Sequence, residues 1–181
     1  LAPHYPTQYI DPAAFIVRDD AHLQQRQSER VLTNGLSYML DLLTPEPLQL
    51  SGKLGYYFDM MRTCDALDHE LRDYARGDRD DTSLRQSYHQ RQAARMSLLA
   101  GEGRAALIGG AVLTVYRESG YTALLAQRSG SVATGAGLFH VFPAFVFQPS
   151  GPEAFYAAEW SMHHQIMREF GEELFAMPEF D

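Results

Sequence analysis

The sequence predicts an α+β protein, and three observations carry that expectation. Up to about residue 100 the apolar residues recur mostly at helical spacing. From 104 to 147 they form continuous runs rich in β-branched and aromatic side chains, punctuated by glycines and a proline. After 160 the helical period returns, now with a cluster of acids. We therefore expect a helical N-terminal region over about 1–100 and an α/β module over 101–181.

Taken in order, residues 1–18 carry Pro3, Pro6 and Pro12 and read as an extended lead-in ending in a short edge strand at Phe15-Ile16-Val17. Asp19-Asp20 can cap a helix. Leu23, Val31, Leu32, Leu36, Met39, Leu40 and Leu43 give that helix an apolar stripe over 20–43, and Thr44-Pro45-Glu46-Pro47 ends it. After an extended connector at 48–52, a second helix is expected over 53–75 from Leu54, Tyr57, Phe58, Met61, Leu67, Leu71 and Tyr74. A charged linker at 76–81 leads to a third helix, capped by Thr82 or Ser83 and running to about Ala100. Gly101-Glu102-Gly103 stops it.

Residues 104–117 read as a buried strand with a bulge at Gly109-Gly110. Glu118-Ser119-Gly120 reads as a hairpin turn, and 121–127 as the return strand. A polar loop runs from Arg128 to Gly137. Residues 138–147 form an aromatic strand that Pro143 interrupts. A Pro/Ser/Gly loop follows, and Ser161 is suited to cap the last helix.

Composition narrows the function. The 181 residues have net charge −8, and 151–181 hold seven acids against one base. An acidic chain without a basic stripe is a poor nucleic-acid binder. A bridging cation would still allow phosphate-rich ligands. No apolar run reaches the 18 or so residues of a membrane span, so no membrane partner is expected. The single Cys64 excludes an internal disulfide and a CxxC metal site, and a reducing cytoplasmic setting follows as the default. The start, Leu1-Ala-Pro-His, has neither Met nor the regions of a signal peptide, and is read as a fragment or trimmed record. Walker, GxSxG and HExxH patterns are missing.

The chemistry-bearing stretch is Ser161–Ala176. With Glu169 at zero on a helical wheel, Glu172 falls near about −60° and Glu173 near about +40°. Ile166, Met167, Phe170, Leu174 and Met177 fall on the adjoining arc. One side of the helix is expected to pack while the next presents three carboxylates. Acids at i,i+3 and i,i+4 repel one another. A hard divalent cation, which takes oxygen ligands, gives them a purpose. His69, His163 and His164 lack paired ligand spacing and read as packing or capping residues. Tyr116, Phe139, Phe142, Phe145 and Phe147 read as core.

Arg168-Glu169-Phe170-x-Glu172-Glu173 resembles the second half of the Nudix box, whose full pattern runs G-x5-E-x7-R-E-U-x-E-E-x-G-U. The upstream Glu position falls on Trp160, beside Glu159. The first Gly position falls on Ala154, and the late one on Phe175. Pro143-Ala144-Phe145 stands where the family usually has Pro-Gly-Gly. The resemblance implies a hairpin and a mixed sheet ahead of the box helix, with further strands and a helix after it. It therefore leads us to expect more chain, a homodimer or a partner chain completing the sheet. It implies Mg²⁺ or Mn²⁺ held by Glu169, Glu172 and Glu173, with Arg168 orienting an acid. Among these, Glu172, Glu173 and Arg168 would be catalytic. Its activity would be hydrolysis of a nucleoside diphosphate linked to another group, with that diphosphate compound as the partner. Arg128 and His140 are the candidate substrate contacts: Arg128 for a phosphate, equally readable as a solvated side chain, and His140 for a base or sugar, though a packed histidine is its first reading. The altered glycines support an alternative, a Nudix-like binding or regulatory module with little or no turnover.

Overall fold

A computed structural model describes residues 5–92, 94–128 and 137–175. The chain is α+β and divides into two compact units, Leu1–Ile108 and Gly109–Asp181.

In the first unit, Asp19 caps α1 (Asp20–Glu29) by accepting from the His22 amide at 2.9 Å. The helix stops there. Residues expected to continue it form β1 (Leu36–Pro45), paired antiparallel with β2 (Leu48–Tyr56). This corrects two helical expectations at once. Leu36, Met39, Leu40 and Leu43 satisfy a helical spacing, but a register shift between Leu40 and Leu42 breaks the alternation that would mark a strand. Asn34 and Gly35 interrupt the helical period before β1. They receive the amides of Phe58 and Tyr57 instead. Pro45-Glu46-Pro47, expected to end a helix, forms the turn of the hairpin, with a cis Glu46–Pro47 bond.

Helical structure resumes with α2 (Tyr57–Met60), a π-helical turn at Met61–Asp65 and α3 (Ala66–Arg76). The expected third helix is split into α4 (Ser83–Arg91) and α5 (Ala94–Leu99). Thr82 occupies the N-cap of α4, but its side chain makes no cap bond. Buried Glu70 does that work from α3. Its two oxygens accept from Leu84 N at 2.8 Å and Arg85 N at 2.9 Å. Val17, Leu67 and Tyr88 form the core here, with Ile16 and Leu84 packed on it. The expected strand at 15–17 is absent; the lead-in pairs instead through Ile10 N to Leu54 O and Leu54 N to Gln8 O, both 2.8 Å.

The first unit ends at Ile108 because residues 101–108 run along β1. Gly101 N donates to Asp41 O, Leu40 N to Ala106 O and Ile108 N to Tyr38 O. A Cβ at Gly101 would overlap the Leu40 carbonyl oxygen.

Among the described residues the second unit has six short strands: β3 (Gly109–Ala111), β4 (Val115–Arg117), β5 (Tyr121–Ala123), β6 (Leu125–Gln127), β7 (Phe139–Val141) and β8 (Ala144–Val146). The pairs are β3–β8, β4–β5 and β6–β7, all antiparallel. Each of three apolar segments thus divides its hydrogen bonds between the other two. The mixed sheet implied by the resemblance is not formed among the described residues. Register through Gly109-Gly110 is regular, so no bulge sits there. Gly110 is needed for another reason: the Phe145 ring occupies the space of its missing Cβ. Pro143 separates β7 from β8 as expected, and Glu118-Ser119-Gly120 closes β4–β5. The chain continues through α6 (Tyr156–Glu159) to α7 (Met162–Phe175). Residues 129–136 of the expected polar loop lie outside the described residues, as does Met177. No helix among the described residues is long and apolar enough to cross a membrane.

Candidate acidic site on the last helix

Ser161 begins α7 as its sequence suggests, accepting from His164 N at its Oγ and from Gln165 N at its carbonyl. Two contacts then seat the helix within the second unit. Phe170 meets Phe142 edge-on at 5.4 Å. Gln165, with no exposed surface, donates to the carbonyls of Gln148 and Glu159, both at 3.0 Å, and its Oε1 receives Gln148 N at 3.4 Å.

The buried row of α7 is Gln165, Arg168 and Gly171. This corrects part of the expectation that its apolar arc packs inward: Phe170 does so, but Met167 and Leu174 are exposed. The cause lies in the segment after β8. Its Gln148 carbonyl would be orphaned without a donor, and Gln165 supplies one, with Arg168 Nη1 close by at 3.5 Å. Neither Gln165 nor Gln148 stands out in the sequence, since an isolated glutamine carries no pattern.

Arg168 is therefore a buried cation, 5 % exposed, with two acids of its own helix around it. Its Nη2 donates to Glu169 Oε1 at 2.8 Å, and its Nε lies 3.6 Å from Glu172 Oε1. Glu169 and Glu172 are largely covered, and Glu173 is exposed. Burial pushes the Glu169 carboxyl above the usual carboxylate range. Arg168 opposes that shift, and the charges of Glu172 and Glu173 add to it. One buried cation thus touches two of the three carboxylates.

That donor set suits a hard divalent ion by its chemistry. The arrangement is not a ready cage. Among the described residues no three His, Cys, Asp or Glu side chains converge as a metal-holding group. Arg168 stands between Glu169 and Glu172.

Arg128 and His140 lie on a different element. His140 opposes Ala126 in the β6–β7 pair, and Arg128 N donates to Leu138 O just beyond it, at 3.0 Å. By strand alternation the two side chains share one face of the hairpin. The His140 Nδ1 is buried with no hydrogen-bond partner among the described residues.

Glu159 was legible only as a near miss beside the box's upstream position. It is 4 % exposed and closes the loop ahead of α6, accepting from Ser150 Oγ and Gly151 N at 3.0 Å and from Ser150 N at 3.3 Å. Its aliphatic neighbours Ala158 and Pro152, with Phe155 and His164, line a small cavity of about 240 Å³ beside it. Comparison with protein-family models, with curated proteins and with solved structures finds no match for this chain.

Proposed function

We propose that the chain is a cytoplasmic, Nudix-type hydrolase that uses Mg²⁺ or Mn²⁺ to split a nucleoside diphosphate linked to a further group. The observation that supports this most is the buried Arg168 beside Glu169 and Glu172 on one face of α7. Acids at this spacing repel one another, and burying an arginine among them costs desolvation that a solvated surface helix would avoid. Glu169, Glu172 and Glu173 would hold the ion. When bound, such an ion neutralises diphosphate oxygens and activates a water. Arg168 is a positioning residue: fixed by burial and by Gln148, it orients the two acids it touches. Arg128 and His140 would contact the substrate from β6–β7. A second copy or a partner chain would complete the sheet, a reading supported by the exposed Tyr121, Leu125, Leu138 and Phe139.

A phosphate-release assay over nucleotide-sugars and dinucleotides tests the reading. Turnover should require Mg²⁺, and Glu172→Gln and Glu173→Gln should each abolish it. Unchanged turnover in both variants sinks the assignment.

One observation favours a second reading, ligand binding without turnover. Arg168 already engages two of the three acids, and Phe175 stands where the box has its late Gly. Calorimetric binding of the same compounds without phosphate release would select it.

A further inference from the structure

The first unit contains a cavity that the chemistry of α7 does not use. It measures about 370 Å³, within the range of small-molecule sites. Leu67, Leu98 and Cys64 supply an apolar wall, and Arg85 and Arg104 line it too. Cys64 enters from the π-helical turn Met61–Asp65, a type of turn that recurs at functional sites.

Two arginines and one acid are among the described residues that line this cavity. Its one acid, Asp68, is bound by Arg72 at 2.6 Å. The Arg104 guanidinium lies over the Tyr88 ring, 5.4 Å from its centre. Arg85 is held through its backbone by Glu70 and donates Nη2 to Leu67 O at 3.2 Å. Its Nε is buried with no hydrogen-bond partner among the described residues. A planar, permanently charged fork suits a carboxylate or phosphate better than it suits a neutral group.

We propose that this cavity binds a small amphipathic anion, with Arg85 and Arg104 taking a carboxylate or phosphate head and Leu67, Leu98 and Cys64 taking an apolar body. Cys64 is a contact here and not a nucleophile. Burial pushes its thiol up, against the opposing pull of Arg104 and Thr63, so it stays protonated at neutral pH.

The chain has one cysteine, so its modification by a thiol reagent reports occupancy directly. Octanoate, octyl phosphate and octanol serve as probes on the full chain. At least one of the two anions should slow Cys64 modification saturably, and which of them does so distinguishes a carboxylate site from a phosphate site. Octanol should need at least tenfold higher concentration, and Arg85→Gln should erase that difference. Leu98→Trp, at the exposed rim, should fill the cavity and weaken the protecting anion at least tenfold by calorimetry. The proposal is overturned if neither anion protects, if octanol protects equally well, or if a folded Arg85→Gln or Leu98→Trp protein binds the anion as the parent does.

Discussion

Arg168 and Glu169 are neighbours in sequence and partners in space: a buried guanidinium nitrogen donates to a largely covered carboxylate oxygen at 2.8 Å. Even so, the carboxyl holds its proton more tightly than an ordinary glutamate, because burial and two further acids outweigh one arginine.

That imbalance has a consequence for stability. A carboxyl whose folded-state value lies above the unfolded one favours the folded state in acid and costs stability as pH rises through the folded value. Glu169→Gln keeps an acceptor for Arg168 and removes the charge. It should stabilise the protein at pH 7 by roughly 0.5–1 kcal/mol, the scale of two relieved like-charge pairs. The gain should vanish below pH ~4.3, where unfolded glutamate is protonated. Urea melts at both pH values check it, and a destabilised variant at pH 7 would contradict it.

Asp65 behaves in the opposite sense. Burial alone would raise it, but His22, with Nε2 at 2.7 Å, and Arg26, at 3.3 Å, hold it below the usual range. Its contribution is present above the unfolded value, near pH ~3.9, and is lost as pH falls through the lower folded value. Asp65→Asn should cost about 2 kcal/mol at pH 7, the scale of hydrogen bonds to a charged group. The difference from the parent should shrink once pH falls below the folded value, as chemical denaturation across that range will show.

Glu70 caps a helix to which it does not belong. Glu70→Ala leaves Leu84 N and Arg85 N without that acceptor, and should cost about 2 kcal/mol. Amide exchange should speed up at α4 ahead of α1.

Much of the class and part of the site could be read from the residues, and the exceptions have physical causes. Asp19, Ser161, the Glu118–Gly120 turn and the Pro143 break act through local backbone chemistry, so a few adjacent residues announce them. The β1–β2 hairpin was hidden because leucines at 36, 40 and 43 fit two periods, and a register shift after Leu40 removed the one that was true. The acids of α7 were visible as a pattern. Which face of α7 is buried was not, because it depends on carbonyls of Gln148 and Glu159 that only the fold brings near Gln165. Hydrophobicity favoured Met167 and Leu174, and hydrogen-bond satisfaction prevailed.

Gly110 offers a test of packing in the second unit. A Cβ there would meet the Phe145 ring at 2.5 Å. Phe145 is buried and has little room to move. Gly110→Ala should cost about 1–3 kcal/mol, the usual range for overpacking. A melting temperature equal to the parent's would place that ring elsewhere.

The proposed hydrolase depends on a divalent ion held by the carboxylates of α7. Titration of Mn²⁺ into the protein, followed by the loss of the free-ion paramagnetic resonance signal, measures this without reference to any substrate. Saturable binding that weakens at least tenfold in the Glu172→Gln, Glu173→Gln double variant is the expected result. No saturable uptake, or uptake equal in parent and variant, contradicts it.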